Sequence, residues 1–165
     1  ANIINMSLGS DAESPLILDA VNFAASKKVL IIAAAGNDGP YVSSIDYPGA
    51  NPAVVAVGAV NSVLEISDWS SRGINLTTEP YVDEDGDMEL AAPGVNIESA
   101  WKDGGYAILS GTSMASPHVV GLAAKLWQKD ALDPASATRD LLHQFSTDLL
   151  PLGDDDASGW GIPRL

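Results

Sequence analysis

The stretch Gly-Thr-Ser-Met-Ala-Ser-Pro-His, residues 111–118, is the most informative part of this sequence. A serine at the start of a helix is ordinarily only a cap for that helix. Here Gly111 permits a close approach just before the predicted helix, and small residues follow Ser113. The free N–H groups and the dipole at a helix N-terminus favour negative charge. A serine in this position has the geometry that suits a nucleophile whose product is an oxyanion.

The two histidines of the chain are the obvious candidates for the base that would activate Ser113. His118 lies five residues further along the same predicted helix, so its side chain points away from that of Ser113. His143 lies on the last predicted helix among apolar residues, and we expect it to pack at the surface. Both histidines are therefore predicted to be structural.

Strand-like and helix-like segments alternate along the chain, which predicts an α/β domain with a parallel sheet. The apolar runs at residues 29–35 and 53–60 are continuous, as in strands that are covered on both faces. A first strand is predicted at residues 2–8, and weaker strands at 66–70 and 96–101. Helices are predicted from Pro15 with Ser14 as its N-cap, over residues 114–128, and from Pro134 to about residue 145. No linker divides the chain, so residues 1–165 are predicted to form one domain.

Residues 111–119 and Gly121 resemble the serine motif of the subtilisin-like serine proteases, the subtilases. Further segments that resemble the family follow the same order along nearly the whole chain: residues 33–39, 56–59, 70–73, 91–95 and 158–161. The resemblance implies a three-layer subtilisin-like fold with a mainly parallel sheet, of which this chain is the C-terminal part. It also implies that Ser113 is the nucleophile and that its backbone N–H and the Asn37 side chain stabilise the oxyanion.

The resemblance extends to the segments that bind substrate in this family. One is a strand whose backbone pairs with the substrate as an added strand, and the other is a turn that lines the pocket for the residue before the scissile bond. The matching positions are Ser7, Leu8 and Gly9 in the strand and Ala34, Ala35 and Gly36 in the turn. Residues 47–49 resemble the base of that pocket. None of these matched positions is acidic, so we expect a preference for apolar or bulky side chains.

The family's catalytic Asp and His precede the serine in chain order, and neither of their motifs occurs in this sequence. A serine hydroxyl is a poor nucleophile without a base. We therefore expect the N-terminal part of the same protease to supply Asp and His, and the chain alone to be nearly inert toward its peptide or protein substrate.

Two other functions would fit the same α/β pattern. One is a non-catalytic binding or structural module that retains the fold, but such a module has no need of Ser113 and Asn37. The other is an esterase or amidase on an unrelated α/β scaffold. That scaffold requires Gly-x-Ser-x-Gly, and residues 111–115 lack the second glycine.

The composition excludes several classes of partner. The formal net charge of −14, from 22 acidic and 8 basic residues, repels nucleic acid and anionic lipid. No apolar run is long enough to span a bilayer. The chain has no cysteine, so it has no disulfides and no thiolate metal site. Family resemblance implies a secreted or extracellular protein.

An acidic loop at residues 83–89 looks like an insertion relative to the family. Alternating carboxylates at Asp83, Asp85 and Asp87, with Gly86 between them, suit a hard cation with oxygen ligands such as Ca²⁺. The simpler alternative is a solvated acidic loop, which the sequence alone favours. Resemblance to subtilases, many of which bind stabilising Ca²⁺, favours a structural calcium ion.

Overall fold

A computed structural model describes residues 1–75, 84–149 and 151–165. Its centre is a four-stranded sheet in which neighbouring strands are parallel and follow chain order. Every residue of the second and third strands is buried, which confirms the prediction of strands covered on both faces. The strands are β1 (Ile3–Met6), β2 (Leu30–Ala34), β3 (Val54–Val60) and β4 (Leu90–Pro93).

The described residues form three helices, which are α1 (Pro15–Ser26), α2 (Thr112–Leu126) and α3 (Pro134–Gln144). Helix α1 lies on one face of this sheet, and α2 and α3 lie on the other. Leu30 and Ile32 of β2 pack in one cluster with residues of α2 and α3, whereas Ile31 and Ala33 pack with Val21 of α1. Because successive side chains of a strand point to opposite faces, the helices form two outer layers. The predicted three-layer α/β fold is confirmed.

The helix starts follow the sequence signals closely. Pro15 and Pro134 each stand at the first turn of their helix, where a missing N–H has no intrahelical partner to lose. Asp133 caps α3 because its Oδ1 accepts a hydrogen bond of 3.2 Å from the N–H of Ser136. Ser14 precedes α1 without such a side-chain bond, so it caps that helix through its backbone carbonyl alone.

The smaller strands were harder to predict. The described residues form two antiparallel strand pairs besides the main sheet, and the strand expected at residues 96–101 belongs to the first of them. Residues 66–70 do not form a strand, since Ile66 makes only an isolated bridge to Val60. The pairs are β5 (Ile97–Ala100) with β6 (Tyr106–Leu109), and β7 (Ser146–Thr147) with β8 (Ile162–Pro163).

His143 is buried, which corrects the expectation that it packs at the surface. Its Nε2 lies 2.6 Å from Oε1 of Glu89, just before β4, and its ring stacks on Trp160. Arg139, four residues earlier on α3, reaches the same carboxylate. Residues four apart on a helix share one face. The face of α3 that directs Arg139 toward Glu89 therefore directs His143 toward it as well.

Among the described residues, no helix combines the length and the apolar character that crossing a membrane requires.

Candidate active site

Ser113 is the second residue of α2 and is half-buried. Gly111 precedes the helix with a φ of 154° and donates its N–H to the carbonyl of Gly94. The first N–H groups of an α-helix have no partner within the helix. The N–H of Ser113 therefore belongs to a group of donors that can stabilise negative charge beside the Ser113 side chain.

The side chain of Asn37 has a fixed orientation at this helix start. Its Oδ1 accepts a hydrogen bond of 3.0 Å from the N–H of Thr112, and the Thr112 hydroxyl lies 3.2 Å from the same oxygen. A carboxamide offers one acceptor oxygen and one NH₂ group with two donors. Because Thr112 holds the oxygen, the NH₂ donors of the exposed Asn37 remain for a ligand.

Thr112 is a residue of this site that the sequence did not single out. Besides its contacts with Asn37, its Oγ1 accepts a hydrogen bond of 3.1 Å from the N–H of Gly36. Thr112 is fully buried, so these contacts hold the turn after β2 firmly against the start of α2. The feature of the sequence that could have indicated this role is the position of Thr112 directly before Ser113.

The segment after β1 also reaches Ser113. The hydroxyl of Ser7 donates a 2.8 Å hydrogen bond to the carbonyl of Ser113, and Oγ of Ser113 lies 3.4 Å from the carbonyl of Ser7. One turn further along α2, Ser116 donates to Oδ1 of Asn5 at 2.7 Å. Ser7, Leu8 and Gly9 are all exposed, so this segment runs past the serine with its surface open to a ligand.

The turn at Ala34, Ala35 and Gly36 differs from that segment because it is buried. The N–H of Ala35 donates to Val57, and its carbonyl accepts from Asp46. The carbonyl of Gly36 accepts from the N–H of Ser71. These backbone groups are already paired within the protein, so the turn can form a wall of a pocket but has few groups left for backbone pairing.

His118 lines the same cleft as Ser113, a space of about 300 Å³ between α2 and β5. Its Nδ1 lies 2.8 Å from the carbonyl of Met114, four residues earlier on α2. No hydrogen bond joins His118 to Ser113, both of which the structure describes. The ring is held by its own helix, as expected for a histidine outside the catalytic set.

The predicted metal ligands fall into different environments. Asp83 lies outside the described residues, and Asp85 is exposed in a turn. Oδ1 of Asp87 is buried and has no hydrogen-bond partner among the described residues. Burial, together with the charges of Asp154 and Glu89, raises the pKa of Asp87 to about 8.

The described part of the chain holds one group of three carboxylates whose oxygens lie within 4.8 Å of one another. It is a different group from the predicted one, and its members are Asp11, Asp38 and Asp46. No local pattern in the sequence predicts this group, because its members come from three separate segments.

The family model that matches this chain is described as the subtilase family, and it covers residues 1–161. The chain belongs to the subtilase family. Subtilisin from Bacillus sp. (strain TA39) is 49% identical to it over 99% of the chain, and subtilisin BL from Lederbergia lenta is 35% identical over 98%. These matches cover 42% and 54% of the two relatives, so the chain spans about half the length of those curated relatives.

Solved subtilase structures superimpose closely on this chain. The S41 psychrophilic protease gives a TM-score of 0.93 at 46% identity, and sphericase gives 0.92 at 45%. Each match covers 99% of this chain, with 57% and 56% of the two solved chains. The subtilisin-like fold expected from the sequence motifs is thereby confirmed.

Proposed function

We propose that this chain is the serine-bearing part of a serine endopeptidase that hydrolyses peptide bonds through an acyl-enzyme on Ser113. The observation that supports this most is the orientation of Asn37. Thr112 holds the amide oxygen, so the NH₂ donors are free to serve a negatively charged oxygen beside Ser113. A non-catalytic binding module would gain nothing from this arrangement.

In the proposed reaction, a peptide lies along Ser7, Leu8 and Gly9, and Oγ of Ser113 attacks the carbonyl carbon. A histidine from the N-terminal part of the protease accepts the Ser113 proton and then donates it to the leaving amine. The N–H of Ser113 and the Asn37 NH₂ group stabilise the oxyanion. Water then hydrolyses the acyl-enzyme and restores the Ser113 hydroxyl.

The proposal is tested by fluorophosphonate labelling of the complete protease that contains this chain. We expect labelling that Ser113→Ala abolishes and that Ser99→Ala, in the same cleft, leaves intact. Asn37→Ala should lower kcat roughly 100- to 1,000-fold, a magnitude measured on a subtilisin for loss of one such donor. Absence of labelling in the complete protease, or labelling that survives Ser113→Ala, would contradict the proposal.

We also propose that the protease is extracellular, because its relatives include the minor extracellular protease Epr of Bacillus subtilis (strain 168), 37% identical over 98% of the chain. Cell fractionation that recovers the protease only inside the cell would overturn this proposal.

A structural calcium ion bound by the predicted ligands Asp83, Asp85 and Asp87 is a further proposal. Asp87 fits this role because its buried Oδ1 has no hydrogen-bond partner in the part of the chain that the structure describes, and a hard cation prefers carboxylate oxygen. Saturating Ca²⁺ should raise the Tm by about 5–10 °C, as expected for a ligand at about 100 times its Kd. Asp87→Asn should remove this shift and Asp130→Asn should keep it. A Tm that is the same with Ca²⁺ and with chelator would refute the calcium site.

A further inference from the structure

Two glycines of the substrate-binding segments both contact the side chain of Asp46. A Cβ atom built on Gly9 would lie 2.5 Å from Oδ2 of Asp46, and one built on Gly36 would lie 2.9 Å from the same oxygen. Real Cβ atoms do not approach oxygen this closely, so any larger residue would displace the carboxylate. The carboxylate of Asp46 therefore lies between the two segments, directly against both backbones.

These two segments are the ones that flank Ser113. Gly9 lies two residues after Ser7, which contacts Ser113, and Gly36 directly precedes Asn37. The Asp46 side chain occupies the gap between these segments, so a substrate side chain directed at the gap meets the Asp46 carboxylate. The apolar pocket was expected because no matched position, including residues 47–49, is acidic. Asp46 directly precedes those residues and was not among the matched positions.

The backbone around Asp46 is fixed on both sides. The N–H of Asp46 donates to the carbonyl of Ala35 at 2.8 Å, and its carbonyl accepts from the N–H of Ala50 at 3.0 Å. The next residue, Tyr47, forms a reciprocal pair of backbone hydrogen bonds with Ser10. The backbone that carries the Asp46 side chain is therefore held in place, as the position of a specificity-determining group requires.

The carboxylate of Asp46 lies close to two other carboxylates, those of Asp11 and Asp38. Oxygens of Asp11 and Asp38 lie within 4.8 Å of one another and of Asp46. The salt bridges between described residues all involve Glu89, so no lysine or arginine among them neutralises this group. Burial, then the charges of Asp38 and Asp11, raises the pKa of Asp46. A cation placed between the glycine segments would relieve this repulsion.

We propose that Asp46 makes the pocket select substrates with lysine or arginine on the acyl side of the scissile bond. This inference rests on the proposed endopeptidase function and names its substrate class. The ammonium or guanidinium group would donate a charge-assisted hydrogen bond to the Asp46 carboxylate. An apolar side chain of similar length leaves that carboxylate without a partner and is discriminated against.

The test compares hydrolysis of Ala-Ala-Pro-Lys and Ala-Ala-Pro-Met p-nitroanilides by the complete protease. Lysine and methionine are both unbranched, so the comparison isolates the charge. The ratio of kcat/KM for the Lys substrate to that for the Met substrate should exceed one. Asp46→Asn should lower this ratio by about 10- to 100-fold, the value of one hydrogen bond to a charged group.

Asp130→Asn is the matched control because it removes the same charge from an exposed turn beyond the far end of α2. It should leave the ratio unchanged, which separates a contact in the pocket from attraction by the overall negative charge. Asp46→Glu, which keeps the charge, should retain the preference for lysine. Fluorophosphonate labelling of each variant checks that the site is folded.

Wild-type protease provides a measurement that does not depend on any variant, since added salt should lower the ratio by screening the charges. A ratio unaffected by both Asp46→Asn and salt, in an enzyme that hydrolyses the Met substrate, would overturn the inference alone. No hydrolysis of any substrate and no Ser113-dependent labelling would overturn the proposed function. If Ca²⁺ abolishes the preference for lysine, the carboxylates form a metal site and the inference is wrong.

Discussion

The carboxylates beside the pocket and the carboxylate of Glu89 are built into this protein in opposite ways. Glu89 is 3% exposed, and Arg139 holds both of its oxygens, with Nε to Oε1 at 2.6 Å and Nη2 to Oε2 at 2.5 Å. Nε2 of His143 lies 2.6 Å from Oε1, and it must be the protonated nitrogen because a carboxylate only accepts. In contrast, Asp46 and its two acidic neighbours lie near the surface without a cationic partner among the described residues.

The pKa values of Glu89 and Asp46 shift in opposite directions because the cationic partners act on Glu89 and like charges act on Asp46. Burial alone would raise the pKa of Glu89, but the charge of Arg139 and hydrogen bonds from His143 and Arg139 lower it to about 2. The pKa of Asp46 is raised because burial and like charges act without compensation. The charge of Glu89 is thus neutralised within the protein. The charge of Asp46 meets no cation among the described residues and is available to a ligand.

The largest effect on stability is expected from Glu89→Gln. This substitution keeps the shape of the side chain but removes the buried negative charge that Arg139 and His143 both contact. Breaking a buried pair from one side reduces stability by about 3–5 kcal/mol. Urea unfolding of wild type and variant measures this difference directly.

Glu65→Gln is the control for that experiment, because Glu65 is exposed and accepts from Asn61. It should change the free energy of unfolding by less than about 0.5 kcal/mol. Equal losses in the two variants would show that the network at Glu89 has no special role.

The next largest effect is expected in the pH dependence of the free energy of unfolding, through the charge of Glu89. Glu89 has a folded pKa below its ordinary value of 4.5, so its stabilisation is complete above pH 4.5. It should be lost as the pH falls toward about 2. Stability measured across this range should therefore fall less steeply in Glu89→Gln than in wild type. Identical slopes would mean that Glu89 does not gain its charge stabilisation on folding.

The smallest effect is expected at the pocket. Asp38→Asn removes one of three converging like charges and should raise the free energy of unfolding slightly, by up to about 0.5 kcal/mol. It should also reduce the preference for lysine by less than Asp46→Asn does, because Asp38 does not contact both glycines. A clear loss of stability in Asp38→Asn would show that this carboxylate, like Glu89, serves the fold.

Local patterns in the sequence predicted most of the fold. The buried strands β2 and β3 were predicted from continuous apolar runs. The helices after Ser14 and Asp133 begin at proline, as expected. β4 was missed as a strand because it is only four residues long and ends in proline. Its strand geometry comes from hydrogen bonds to β3, and a short segment carries no record of such distant partners.

The sequence by itself determined the family and the three-layer architecture and singled out Ser113 and Asn37 as candidate site residues, because a subtilase motif is a contiguous run of residues whose chemistry can be read locally. Only the tertiary structure decided which polar groups meet. It buried His143 against Glu89, oriented Asn37 through Thr112, and placed Asp46 between two glycines far from it in sequence. Pairing across the sheet and the packing of α2 and α3 bring these residues together. Contacts between side chains depend on distance in space, which the spacing along the chain does not record.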